Sequence, residues 1–322
     1  MSQLITCMGE ILIDFLPIEE DGRTVGFRMH PGGSPLNVAV GVVRLGQPTA
    51  FAGKAANDLF GHYLRGYIES EGIDTRFLLP ADALSTLAFV AYEGGEPAYA
   101  FYGEGAADTL MTPADLPEAL FEETRALHVG SISLLRGTTP GAVLAAVERL
   151  KGRALIQFDP NVRAGLVRDE AGYRATIKRL FELADIVKIS SVDLAWLLPD
   201  LASHEAAIDY ILQHGPALVV ITHGGEGVIA KRPGERAATR VPSFPIRVAD
   251  TVGAGDTFNA GILAGLAERD ALARAAVAQL SHDELVATLR FAGAAAAVNC
   301  TRAGANPPRR DELAQFMSSH SA

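Results

Sequence analysis

Asp250-Thr251-Val252-Gly253-Ala254-Gly255-Asp256 leads into a helical pattern in which Phe258, Ile262, Leu263 and Leu266 share one apolar face. A Gly-Ala-Gly turn at the mouth of a helix leaves several backbone N–H groups without intrahelical partners, and the aligned peptide dipoles add positive potential there. Small side chains let an anion reach the backbone directly. The turn can therefore cradle charge that develops on a transferring phosphoryl group. Asp256 falls in the first helical turn beside it, where a carboxylate can accept a proton from an attacking hydroxyl. A plainer reading uses the same residues: Asp256 caps the helix and the glycines only make the turn.

Upstream of this segment, short β-branched runs alternate with amphipathic stretches. Strands are expected at Leu4–Ile13, Thr49–Gly53, Ala126–Gly130, Ala154–Asp159, Asp185–Ile189 and Ala217–Thr222, with helices at Pro35–Leu45, Asp58–Glu71, Thr139–Leu150, Glu170–Leu183 and Ser203–His214. This order implies parallel βαβ units and a sheet covered on both faces, an α/β fold. Two stretches break the alternation. Thr86–Tyr92 and Ala98–Tyr102 flank Glu93-Gly94-Gly95-Glu96 as a hairpin would, and Thr24–Met29 is extended with no helix beside it. They predict a small separate sheet, a natural lid or contact surface. A second hairpin-like pair surrounds His223-Gly224-Gly225-Glu226-Gly227, and Ser318–Ala322 is expected to fray.

The 322 residues carry 28 Lys and Arg against 38 Asp and Glu, a formal charge of −10, which argues against nucleic acid as the main partner. Two distant cysteines, Cys7 and Cys300, make neither a disulfide framework nor a zinc site. They are expected to be free thiols of a cytoplasmic protein. No basic residue precedes Arg23 and no apolar run reaches membrane-spanning length, so neither a leader nor a membrane anchor is expected. The chain lacks G-x-x-x-x-G-K-[ST], the complete G-x-G-x-x-G fingerprint, G-x-S-x-G and H-E-x-x-H.

The heptapeptide at 250–256 resembles the D-T-x-G-A-G-D signature of the ribokinase-like (phosphofructokinase B type) carbohydrate kinases. Gly9-Glu10-Ile11-Leu12-Ile13-Asp14 resembles that family's first strand, and Gly32-Gly33-Ser34-Pro35-Leu36-Asn37-Val38-Ala39 its G-G-x-x-x-N-x-A motif. The three matches stand in the family's order and cover nearly the whole chain. The resemblance implies one ribokinase-like catalytic domain over 1–322: a doubly wound, mostly parallel sheet with lid strands at about 15–30 and 85–105. It implies that Asp256 is the catalytic base and that Gly253, Ala254 and Gly255 form the anion hole. It places Asp14, Gly32, Gly33 and Asn37 against sugar hydroxyls. Plainer readings are a solvated strand end for Asp14 and an ordinary turn for the two glycines.

Further matches are local. Thr222-His223-Gly224-Gly225-Glu226-Gly227 resembles the family's T-x-G-x-x-G loop, which would set Thr222, Gly225 and Gly227 along the ATP phosphates and ribose. Asn259 and Asn299 are candidates near the nucleotide, Asn299 toward adenine, though both could equally be helix-surface amides. Asp159-Pro160-Asn161-Val162-Arg163 resembles the D-P-N-x-R of the fructokinase and 2-keto-3-deoxygluconate kinase branch, with Asn161 and Arg163 toward substrate; a structural Asp–Arg pair is the alternative.

Two departures stand out. Where the family has N-x-x-E to organise Mg²⁺ waters, this chain has Ser190 and Asp193, so Mg²⁺ contact would pass from Asp193 through water. Phe101-Tyr102-Gly103-Glu104-Gly105-Ala106-Ala107-Asp108 resembles F-Y-R-x-G-A-A-D, with glycine in place of the arginine and Asp108 still available to the sugar. The expected reaction is ATP- and Mg²⁺-dependent phosphorylation of fructose at its 6-hydroxyl. A monovalent cation such as K⁺ near Asp250 and Ala303–Gly304, and a homodimer through the lid, follow by the same analogy. The main alternative is 2-keto-3-deoxygluconate kinase; a nucleoside kinase or a non-catalytic sugar-binding protein fits less well.

Overall fold

The computed structural model describes residues 3–93 and 96–320, except for the side chains of 90–93 and 96–99. In chain order the strands are β1 (Leu4–Met8), β2 (Leu12–Glu20), β3 (Arg23–Gly32), β4 (Thr49–Ala56), β5 (Leu78–Ala81), β6 (Thr86–Glu93), β7 (Glu96–Tyr102), β8 (Thr124–Gly130), β9 (Leu155–Asp159), β10 (Ile186–Ser190), β11 (Leu218–Thr222), β12 (Val228–Lys231) and β13 (Thr239–Val241). Nine of them form one sheet in the order β13-β12-β11-β10-β9-β8-β1-β4-β5. Every pairing from β11 to β5 is parallel, and β12 and β13 add an antiparallel edge. The α/β expectation holds.

The central strands are buried on both faces, so they read as continuous apolar runs rather than alternating ones. In β1 all five residues are buried. Ile5 and Cys7 pack into one core cluster and Leu4 and Met8 into another, the two faces of the pleat. Across the first face, helices Ser34–Arg44, Ala254–Ala267 and His282–Cys300 approach closely. Their contacts need small residues. A Cβ on Gly41 would lie 2.6 Å from that of Ala260, and one on Gly261 would lie 2.5 Å from Cα of Ala292. No helix among the described residues is long and apolar enough to cross a membrane.

The remaining strands make a second sheet, order β3-β2-β6-β7. The separate sheet expected from the sequence is therefore present, wider than 15–30 and 85–105 at its first strands. Gly94 and Gly95 of the expected hairpin apex lie outside the described residues, and β6 and β7 pair antiparallel up to Glu93 and Glu96. Two expectations are corrected. Leu4–Ile13 is not one strand: the chain breaks at Gly9, whose φ is 154° and where a Cβ would lie 2.2 Å from Ser133 Oγ. Beyond the break, β2 leaves the large sheet and joins the small one. Nor does the tail fray from Ser318, because a helix runs over Arg310–Ser319 and His320 stacks on Phe316 at 4.2 Å between ring centres. Residues 321 and 322 lie outside the described residues.

Candidate active site

The glycine turn begins the helix Ala254–Ala267. Gly253 is left-handed, with φ of 73°, and a Cβ there would meet Cβ of Ala305 at 2.6 Å, so an alanine would strain the backbone and clash as well. Asn299, fully buried, holds the turn from below. Its Nδ2 donates to the Val252 carbonyl at 2.8 Å and its Oδ1 accepts the Asn306 N–H at 2.8 Å. Asp250 adds a second tie, accepting the N–H groups of Val252 at 3.0 Å and Gly304 at 2.8 Å.

Asp256 is buried in the first turn of that helix. Ser34 Oγ donates to its Oδ1 at 2.6 Å and Asn37 Nδ2 to its Oδ2 at 2.8 Å. Both donors come from the first turn of the helix Ser34–Arg44, which follows Gly33 (φ 109°). Two helix N-termini thus converge on one carboxylate. Burial raises its pKa above the usual aspartate range, and nearby Asp159 adds to this; the hydrogen bonds from Ser34 and Asn37 and the charge of Arg163 pull it down. A raised pKa makes the carboxylate a stronger base.

Beneath the turn lies a buried ion pair. Lys188 Nζ donates to Asp159 Oδ2 at 2.9 Å, and Asn259 Nδ2 donates to the same oxygen at 2.7 Å. Lys188 Nζ also lies 2.9 Å from where a Cβ on Gly255 would sit, so an ammonium stands directly under the amides of the turn. The strand run Asp185–Ile189 already carried the signal: a lysine in an apolar strand is rarely buried unless it is paired. Asn259 and Asn299 are both buried, which removes the helix-surface reading left open for them. Asn259 sits on the ion pair rather than on the glycine loop of 222–227.

On the other side, β2 carries Asp14. Gly32 faces it so closely that a Cβ would lie 2.1 Å from Asp14 Oδ2. Burial raises the Asp14 pKa to about 6, with Arg163 lowering it and Asp256 and Glu10 raising it. Arg163 is exposed, and its Nη1 donates to Asn161 Oδ1 at 2.6 Å; Asn161 is left-handed with φ of 41°. Asp108 is buried, accepts Thr86 Oγ1 at 2.5 Å, and has its pKa raised by burial to about 6. Glu10, unremarked as a site residue in the sequence, is buried at the break between β1 and β2. It accepts N–H groups of Ser34 and Ser133, both at 3.1 Å, and the Ser133 hydroxyl, so it braces the loops on which the Gly32-Gly33 turn rests.

The strand ends complete the picture. Ser190 pairs in register with Thr222, and β9 ends at Asp159 beside them, so the carboxyl ends of β9, β10 and β11 share one edge. That edge is where ligands bind in open α/β sheets. Asp193 stands at the third position of the helix Ser191–Leu197, nearly buried, with its pKa raised by burial and then by Asp159. After β11 the chain turns through Gly224–Glu226. Gly227, φ 96°, allows a close approach to Val241, since a Cβ there would lie 2.2 Å from its carbonyl oxygen. The Gly225 carbonyl accepts the Ser243 hydroxyl. Among the described residues no group of three or more His, Cys, Asp or Glu could cage a metal ion.

The profile of the family described as pfkB family carbohydrate kinase matches residues 2–312. A fructokinase of Rhizobium leguminosarum bv. trifolii is 40% identical over 282 residues, covering 88% of this chain and 85% of that protein. The fold matches the crystal structure of fructokinase with bound ATP from Xylella fastidiosa with a TM-score of 0.92, 31% identity and all of both chains covered. It also matches fructokinase from Vibrio cholerae O395 in its fructose-, ADP- and calcium-bound form, with a TM-score of 0.83, 27% identity and 98% of each chain covered. With its glycine turn, its buried aspartate and these relatives, the chain belongs to the pfkB family of carbohydrate kinases.

Proposed function

We propose that this chain is a fructokinase, transferring the γ-phosphoryl group of ATP to the 6-hydroxyl of fructose. The observation that carries the reading is the buried Asp256 carboxylate at a helix N-terminus, with the glycine turn beside it, whose Ala254 N–H donates to the Thr251 carbonyl at 3.2 Å, and the Lys188 ammonium beneath. The relatives support the substrate pair: one similar structure holds ATP and another holds fructose and ADP.

In this reading Asp256 takes the proton of the 6-hydroxyl as its oxygen bonds to the γ-phosphorus. The bond from that phosphorus to the bridging oxygen breaks, and its electron pair leaves with ADP. The N–H groups of Gly253, Ala254 and Gly255 meet the negative charge on the transferring group; losing one such donor typically costs about 10²–10³ in rate. Lys188, neutralised by Asp159, tempers the field at that turn. Asp14, the Gly32-Gly33 amides, Asn161, Arg163 and Asp108 hold the sugar. Asn37 orients Asp256, and Asn299 shapes the nucleotide side by fixing Val252. Thr222, Gly225 and Gly227 line the phosphates and ribose.

The residues suit a Mg²⁺ ion carried on the triphosphate, with Asp193 reaching it through water, rather than a protein cage. Bound there, it neutralises phosphate charge. A monovalent cation would sit near the loop that Asp250 ties to Gly304. The second sheet acts as a lid, and two copies associate through it, covering Ile18, Val25 and Phe27, which are large apolar residues left exposed.

ADP release with fructose, other ketohexoses, 2-keto-3-deoxygluconate, ribose and adenosine as acceptors tests the reading. Fructose is expected to give the highest kcat/KM. A preference for the keto acid would replace fructokinase with the rival that Arg163 leaves open. A sugar that shifts Tm without stimulating ADP release would make the chain a binder.

A further inference from the structure

Arg136 lies in the loop between β8 and the helix Thr139–Leu150. Its Nε and Nη2 atoms are buried and have no hydrogen-bond partner among the described residues. A buried N–H left without a partner carries a desolvation cost, larger on a charged group, so two such donors on one guanidinium need a physical account. The neighbours supply one. A Cβ on Gly103 would lie 3.0 Å from Arg136 Nη1 and 2.5 Å from Thr86 Oγ1. Any side chain at 103 would therefore start where these two groups already stand. The position that carries arginine in the resembling motif is bare here, and a guanidinium from a different loop occupies the space beside it.

The same face of the second sheet leads to Asp14. Leu12 pairs with Thr86 and Asp14 with Ala88, so these four side chains share a face. Leu12, Ala88 and Ile132 form one small apolar cluster, with Leu135 and Leu166 packed against it. Ile132 and Leu135 precede Arg136, and Leu166 follows Arg163 closely. The two loops thus meet under the sheet on the Asp14 side. Thr86 donates to Asp108, whose carboxylate feels the charge of Arg136 without a salt bridge between them among the described residues.

We propose that Arg136 is a specificity-determining residue that donates from Nε and Nη2 to hydroxyl or carbonyl oxygens of the sugar, at the end away from the transferred phosphoryl group, and that the absence of a side chain at Gly103 makes room for it. Because Asp108 balances its charge, the pair suits a neutral ketose better than a carboxylate. The choice of fructose as probe rests on the fructokinase reading.

The test compares wild type with R136A and R136Q in the full chain, using fructose and its monodeoxy derivatives. The fructose KM is expected to rise about 10- to 100-fold in R136A, the loss of hydrogen bonds from a charged donor, while the ATP KM stays within about twofold. At least one monodeoxyfructose should be penalised about tenfold in wild type and not in R136A. Calorimetric fructose binding to R136Q, which keeps a neutral donor, should fall between the two and reads the effect if R136A does not fold. An unchanged fructose KM, or the same monodeoxy profile in wild type and variants, would overturn the assignment and leave Arg136 a structural residue. A wild-type enzyme that ignores fructose overturns the substrate reading instead, and Arg136 is then measured with the panel acceptor it does phosphorylate.

Discussion

Asp256 is the proposed base. Replacing it with asparagine keeps the size and leaves Ser34 an acceptor, but removes the proton acceptor. D256N is expected to keep its fold and ATP binding and to lose about 10³-fold or more in kcat, measured as ADP release; a loss below tenfold would remove the base role. Asp14 and Asp108 make a second residue-scale prediction. Both have pKa values raised to about 6, so both become neutral as pH falls through that value. If Asp14 and Asp108 hold the sugar as proposed, the kcat/KM for fructose should drop below about pH 6, because those acceptors then lose their charge. Stability moves the other way. Burial favours the neutral acid in the folded chain, so ionised Asp14 detracts from stability above its unfolded pKa of about 3.9, and fully so above about 6. D14N should therefore melt higher than wild type at pH 7.5, and the gap should close by pH 4; equal melting temperatures at pH 7.5 would contradict the burial of Asp14.

At the scale of elements, the glycine turn is only as good as the strap that holds it. Asn299 satisfies one carbonyl and one N–H of the loops it joins. N299A leaves both without that partner, at about 1–3 kcal/mol each. A lower Tm and a KM for ATP raised about tenfold are expected, with the fructose KM nearly unchanged; thermal melts and initial rates check this. The sequence made the turn, the flanking helix and Asp256 legible because their residue types are demanded locally. Positive φ at Gly253 and an exposed helix mouth leave few choices. The sequence leaves Asn299 open between a nucleotide contact and a helix-surface amide and hides the strap, because its two bonds join residues 47 and 7 positions apart. Glu10 escaped for the same reason, its partners Ser34 and Ser133 being distant in the chain; the apolar strand around Lys188 signals a paired lysine, but its partner Asp159 lies 29 positions away.

For the whole molecule, the alternation of strands and helices gave the parallel sheet, and the interrupted alternation gave the second sheet. The break at Gly9 was hidden because mostly apolar residues lie on both sides of Gly9-Glu10, and such runs show no alternation to mark where one sheet ends and another begins. The proposed dimer belongs to this scale. Val25 is 56% exposed and Phe27 43%, on a strand at the rim of the small sheet. Sedimentation at micromolar concentration is expected to show a dimer in wild type and a monomer in V25E/F27E; a wild-type monomer would dismiss the association.

The small sheet is joined to the large domain by four chain crossings, at 9–11, Gly33, 82–85 and 103–106. Four tethers in a row behave like a piano hinge, leaving swivel about one line as the soft motion. Asp14, Gly32, Thr86 and Gly103 sit near that axle, whereas the paired ends Glu20 and Arg23, and Glu93 and Glu96, ride at the far rim. Tilting the sheet would sweep the rim widely while scarcely displacing the groups proposed to hold the sugar, so under that reading the acceptor is held before the cleft shuts over it.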